Sequence, residues 1–199
     1  MRPYKLGKTS GGMRIHGTFL ERINELFDDM MKIKSFLMIL VAAVLSGCVT
    51  DREEDAVSLG VGERCPDFSV VLTDGSVVST AALRGETTLI CFFNTECGDC
   101  RRELPVVQQA YETLTSERGG VAPQFVCIAR DEDEAPILKF WNDNRLTLPV
   151  SAQPDASVYR LFANLGIPRI YIVSPEGVIT AAWSDNPSAT ADQIVAAFH

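Results

Sequence analysis

Histidine is nearly absent from this 199-residue chain: His16 and His199 are the only two, one near each end. A Cys/His zinc site would have to draw on distant positions, and no metal or cofactor site is expected. Basic side chains are also scarce, 18 Lys and Arg against 26 Asp and Glu. The deficit is uneven, seven against four before Cys48 and 11 against 22 from Cys48 onward. An acidic domain repels phosphate backbones, so nucleic acid is not an expected partner. There is no internal repeat and no Gly-rich phosphate loop. Gly60 and Gly62 lie in Ser58-Leu59-Gly60-Val61-Gly62-Glu63, without the strand-to-helix context that nucleotide binding needs. Long apolar runs are missing too. Phe36 to Leu45 is ten residues, about 15 Å of helix against a hydrocarbon core of roughly 30 Å, which is too short for a span.

That short run is flanked by Met31-Lys32-Ile33-Lys34 and by Leu45-Ser46-Gly47-Cys48. A basic start, a short apolar stretch and small residues at its end read as a secretory signal over residues 31–47. Leu-Ser-Gly-Cys resembles the bacterial lipobox, which implies that Cys48 is lipidated and becomes the mature N-terminus, anchoring the chain to a membrane. A buried core helix ending in cysteine is the bland alternative. Residues 1–30 precede the signal and read as a start placed too far upstream, with a genuine extension as the other account. Residues 48–61 are polar and acidic and suit a tether. The folded domain is expected over residues 62–199.

Within that domain, Phe68 to Leu72, the turn Thr73-Asp74-Gly75-Ser76 and Val77 to Ser79 predict an N-terminal β-hairpin. Thr87 to Phe93 and Gln124 to Ala129 are continuous apolar runs, the pattern of buried strands. Helices are expected from the cysteine pair to about Ser116 with a kink at Pro105, over Ala135 to Asn144, and around Ser157 to Asn164. Arg169 to Val173 and Val178 to Trp183 predict a second hairpin, and Ala189 to Phe198 a closing helix. This order predicts an α/β domain, a mixed β-sheet with helices on both faces.

Cysteine is what the chain has. Cys97-Gly98-Asp99-Cys100 follows a predicted buried strand and opens a predicted helix. Two cysteines three apart on a first helical turn can close a small disulfide ring or open to a dithiol. Free amide N–H groups at a helix start stabilise an anion, so Cys97 is the expected attacking thiolate and Cys100 the buried resolving thiol. A zinc knuckle would want a second ligand pair, which the scattered Cys65, Cys91 and Cys127 do not supply. A permanent structural disulfide is a further alternative in an exported chain. Cys91 and Cys127 alternate into apolar strands and read as core packing, while Cys65 before Pro66 remains ambiguous.

Leu83-Arg84-Gly85, Leu89 to Phe93, Cys97 to Pro105, Leu165-Gly166-Ile167-Pro168 and Pro175 to Ile179 together resemble the TlpA-like thiol–disulfide oxidoreductases. The resemblance covers roughly residues 62–199 and implies a thioredoxin-like fold and exchange of disulfides in exported proteins. It implies that Pro168 is a cis-proline facing the redox pair, exposing Ile167 to a substrate segment, and that Glu103 handles the proton of Cys100. Some positions depart from the family. Glu96 stands where many relatives have Trp, Asp99 where many have Pro, Arg169 where they often have a small hydroxyl residue, and Cys91 where thioredoxins proper keep a buried carboxylate. Glu96 and Asp99 oppose thiolate formation, and Arg101, Arg102 and Arg169 are candidates to offset them.

The expected activity is thiol–disulfide exchange, in the reducing direction, on disulfide-containing exported proteins facing a bacterial periplasm, supplied by an upstream thiol reductant whose identity the sequence leaves open. Two alternatives are a peroxiredoxin-like peroxidase and a redox-silent lipoprotein with a structural disulfide. The first would need Pro and Thr at the positions held by Ile90 and Asn94. Replacing Cys48 with Ala tests the anchor: the variant is expected to leave the membrane fraction or stall in maturation, and mass spectrometry of the native protein should find Cys48 as the modified first residue.

Overall fold

The structure is a computed structural model that describes residues 58–184 and 189–199. The expected extension over 1–30, the signal over 31–47, Cys48 and the tether as far as residue 57 lie outside the described residues. The last tether residues do not hang free of the domain: Ser58 bridges Ala163, and the Leu59 N–H donates to Phe162 O at 2.8 Å.

Strands β1 (Ser69–Val71) and β2 (Val77–Ser79) form the expected antiparallel hairpin, in register Val70 opposite Val78. A single-turn helix, α1 (Thr80–Leu83), follows where no helix was expected; four residues are too few to show a period, but the Ser79 hydroxyl caps it by accepting from Ala82 N–H. The main sheet has the order β5-β4-β3-β6-β7. Its centre is β3 (Thr88–Phe93), every residue of which is buried, so Leu89, Cys91 and Phe93 face one core and Ile90 and Phe92 the other. β4 (Gln124–Ala129) pairs parallel to β3, and β5 (Val150–Ser151) parallel to β4. β5 was not expected, because two residues cannot display alternation. β6 (Arg169–Val173) and β7 (Ile179–Ser184) complete the sheet in antiparallel pairing.

Helices α2 (Gly98–Glu117), α3 (Glu134–Asn144) and α4 (Ala191–Ala196) cover the Leu89–Cys91–Phe93 face. Cys100, Glu103, Leu104, Val107, Ala110 and Leu114 of α2 recur at helical spacing and form its buried stripe. The helix continues through Pro105, which has no N–H to offer the Arg101 carbonyl. The opposite face is covered by the hairpin, Leu83 of α1 and a one-turn 3-10 helix, Tyr159–Leu161, all that forms of the helix expected over 157–164. The closing helix is also shorter than expected and starts at Ala191, after a capping box in which Thr190 and Gln193 exchange side-chain and backbone hydrogen bonds.

Phe92 anchors the second core. Its ring meets those of Tyr159, Phe162 and Tyr171 at centroid distances of 5.6, 4.9 and 6.3 Å. Phe92→Ala is expected to cost about 3–5 kcal/mol, because the fully buried site cannot collapse around the missing ring; a shift in the denaturant midpoint at unchanged slope measures it.

Candidate active site

The site lies where β3 ends and β6 begins. Antiparallel register sets Phe92 opposite Arg169, so the chain leaving β3 toward Cys97 and the chain entering β6 from Pro168 emerge at the same end of the sheet. The Ile167–Pro168 peptide bond is cis, and Gly166 before it has φ +76, a conformation that glycine adopts without strain. The Cys97 thiol points at this loop and donates to Ile167 O at 3.6 Å. The structure thus brings Cys97 and Cys100 of one helical turn together with Ile167 and Pro168. Glu103 lies on the buried stripe of α2 one turn beyond Cys100, 3% exposed.

Residues 94–97 form a short loop tied to the loop after β4. The Asn94 side chain accepts from Glu96 N–H at 2.8 Å and donates to Arg130 O at 3.0 Å, while Cys97 N–H donates to Asn94 O at 3.1 Å. Thr95 rests on the buried carboxylate of Glu132, giving its N–H to Oε2 at 2.8 Å and its hydroxyl to Oε1. Sequence reasoning missed Asn94, Thr95 and Glu132 as positioning residues. The one local signal was Asn94, whose side chain makes the Asx-type turn typical of its kind; the partnership of Thr95 with Glu132 spans 37 positions and has no local signature.

Cys97 is the N-cap of α2, half-buried, and its carbonyl accepts the first helical bond from Arg101 N–H at 3.0 Å. Cys100 is fully buried. Burial pushes its thiol well above the ordinary cysteine range, the neighbouring Cys97 and Asp99 push in the same direction, and a hydrogen bond with the Asn94 backbone pulls against them. Cys97 and Cys100 are both free thiols in this structure. Cys91 and Cys127 sit opposite one another in the β3–β4 register, both inaccessible. The hydrogen bond with Cys127, burial, and the nearby Cys127, Cys100 and Glu103 hold the Cys91 thiol far above its usual range. Cys65 is pushed up to about 11 by burial and by Asp67.

The three arginines do different things. Arg102 pairs with Asp99 on the exposed side of α2, and Arg101 lies over the Phe140 ring at 5.5 Å. Arg169 turns instead to backbone carbonyls of the 165–166 loop. Beside Glu96, a shallow cleft of about 200 Å³ opens between α2 and α3, lined by Thr95, Arg101, Pro136, Lys139 and Phe140. Among the described residues, no three His, Cys, Asp or Glu side chains gather as metal ligands, and no helix is long and apolar enough to cross a membrane.

Native-state alkylation reads this arrangement directly. Cys97 is expected to react first and Cys100 far more slowly, with Cys91 and Cys127 protected until denaturant is added. Peptide mapping after short exposure to iodoacetamide checks the order.

Known proteins resemble this chain in sequence and in fold. The profile of the AhpC/TSA family matches residues 61–182. The thiol-disulfide oxidoreductase ResA of Oceanobacillus iheyensis is 30% identical over 149 residues, covering 73% of this chain and 76% of that protein. A thiol:disulfide interchange protein of the thioredoxin family from Chlorobium tepidum superposes with a TM-score of 0.58 at 24% identity, covering 71% of this chain and 97% of its own. A secreted thiol-disulfide isomerase from Corynebacterium glutamicum gives 0.58 at 17% identity, over 73% of this chain and 86% of its own; both structures are likenesses of fold alone. The chain belongs to the AhpC/TSA family, with a thioredoxin-like fold, and is a thiol–disulfide oxidoreductase.

Proposed function

We propose that the chain reduces disulfides in exported proteins, working from the periplasmic face of a membrane to which a lipid on Cys48 anchors it. The observation that carries the mechanism is the pairing of a half-exposed Cys97, at a helix N-terminus and 3.6 Å from Ile167 O, with a fully buried Cys100 on the same turn. Cys97 attacks as the thiolate from the N-cap position of α2, where a helix start favours an anion. One substrate sulfur leaves as thiolate and the other bonds to Cys97. Cys100 then gives up its proton and attacks Cys97, closing the Cys97–Cys100 disulfide and expelling the second substrate thiolate. An upstream thiol reductant returns the pair to the dithiol. Ile167, next to Pro168, offers backbone groups with which an extended substrate segment pairs as an added strand.

The second step is chemically the harder one, because burial keeps Cys100 protonated at neutral pH. Glu103, buried one turn away on the same face, takes that proton. A second reading deserves a test because the AhpC/TSA family match also suits a peroxidase. Here Cys97 would attack a peroxide and Cys100 would resolve the sulfenic acid. Against it, Ile90 and Asn94 occupy the positions where a peroxidase would place Pro and Thr, and Asn94 is committed to Arg130 O. Peroxide consumption slower than disulfide reduction by the same preparation supports the reductase; the reverse order supports the peroxidase.

Cys97→Ser is expected to abolish disulfide reduction and Cys100→Ser to accumulate mixed disulfides with exported proteins, visible on non-reducing gels. Equal trapping by both variants would remove the attacking and resolving roles. Glu103→Gln should slow release of the mixed disulfide by about a hundredfold while leaving its formation intact. In that variant the release rate should climb about tenfold per pH unit above neutrality, tracking the scarce Cys100 thiolate. Stopped-flow measurement of the two steps separates them, and wild-type release across that range would return Glu103 to a packing role.

A further inference from the structure

We infer that Arg169 is the positioning residue of the substrate-docking loop, with Ser58 as its anchor outside that loop; this rests on the thiol–disulfide reading above. The Arg169 guanidinium spends all three nitrogens on protein acceptors. Nε donates to Leu165 O at 2.9 Å and to Gly166 O at 3.1 Å, Nη2 donates to Leu165 O, and Nη1 donates to Ser58 Oγ at 2.6 Å. No carboxylate pairs with it among the described residues. A surface arginine so fully committed to carbonyls is a brace rather than a counter-charge for substrate.

What it braces is the stretch immediately before Ile167 and Pro168. Gly166 O accepts from Arg169 and also from the hydroxyl of the buried Tyr159 at 2.8 Å, and Tyr159 in turn lies under the Arg130 guanidinium at 4.8 Å. The loop therefore has an inner pin and an outer one. The outer pin also reaches the segment arriving from the N-terminus, because Ser58 bridges Ala163 and the Leu59 N–H donates to Phe162 O. Ile167 O, the atom nearest the Cys97 thiol in this loop's hydrogen bonding, is the next residue along. An extended substrate chain can pair with Ile167 only where that backbone is held, and ordering it before encounter removes a cost from binding rather than from the sulfur chemistry. A serine or threonine at this position would have no comparable reach. Lysine has the charge without the planar fork, and cannot serve Leu165, Gly166 and Ser58 together.

The test compares the full-length wild type with Arg169→Ala, Arg169→Lys and Ser58→Ala on two disulfides: insulin, which must dock as a chain, and oxidised glutathione, which is too small to add a strand. Arg169→Ala is expected to raise KM for insulin roughly tenfold, the equivalent of one charge-assisted hydrogen bond of loop ordering, at unchanged kcat. Glutathione rates and the Cys97–Cys100 reduction potential should stay at wild-type values. Arg169→Lys should recover only part of the loss, and Ser58→Ala should show a smaller rise of the same kind. An unchanged KM for insulin in Arg169→Ala overturns the inference. So does an equal fall on both disulfides with a lowered Tm, which would mark a merely structural role. Amide exchange at Gly166 and Ile167 decides the matter independently of turnover: faster exchange in Arg169→Ala supports the brace, and wild-type exchange overturns it. A wild type inactive on both disulfides would instead sink the thiol–disulfide reading, leaving the exchange result to judge Arg169.

Discussion

The register of β3 against β6 is the constraint from which the site follows. Phe92 opposite Arg169 means that the residues just after one strand and just before the other must meet, whatever their side chains. A shift by one residue would turn Phe92 out of the aromatic cluster with Tyr159, Phe162 and Tyr171, so the register is fixed by the second core. Catalytic geometry is thereby inherited from packing. The Cys97 thiol reaches Ile167 O because an aromatic core on the far side of the sheet allows only one alignment.

The two thiols of the pair differ because a helix turn carries them to different surroundings. Cys97 caps α2 and meets solvent at the loop, while Cys100, three residues on, points with Leu104 and Val107 into the core beneath the sheet. Sequence spacing alone creates this asymmetry once the helix is docked. The loop before Cys97 is then held from the loop after β4 by Asn94 on Arg130 O and Thr95 on Glu132, so the half-buried thiol sits on a fixed backbone.

Most of this was legible in the residues. The β3 and β4 runs, the helix opened by the cysteine pair and both hairpins have periods or compositions that local chemistry explains, and they formed where expected. The cis bond at Pro168 was implied by family resemblance and is present. β5 and α1 were not legible: at two and four residues they display no period, and neither has the turn signal that announces the three-residue strands of the first hairpin. Nor were contacts between distant polar residues. Thr95 and Glu132 each look like ordinary loop residues, and Arg169 looked like a cation near the thiols until its guanidinium was found on carbonyls. Charge can be counted in a sequence, but which partner a flexible side chain takes is decided only by the fold.

Cys91 shows how such a substitution redistributes chemistry. The resemblance puts it where thioredoxins proper keep a buried carboxylate, yet it cannot stand in for one. Its hydrogen bond with Cys127, its burial and the neighbouring Cys100 and Glu103 all favour the neutral thiol, so at neutral pH it has no lone negative charge with which to draw a proton from Cys100. The only buried carboxylate on the Cys100 stripe of α2 is Glu103, and it comes from the helix rather than from the sheet. Moving the acid from strand to helix ties it to the same rigid body as the thiol it would serve. Under the proposed mechanism, the proton path then runs along one turn of α2 and is independent of any shift between helix and sheet.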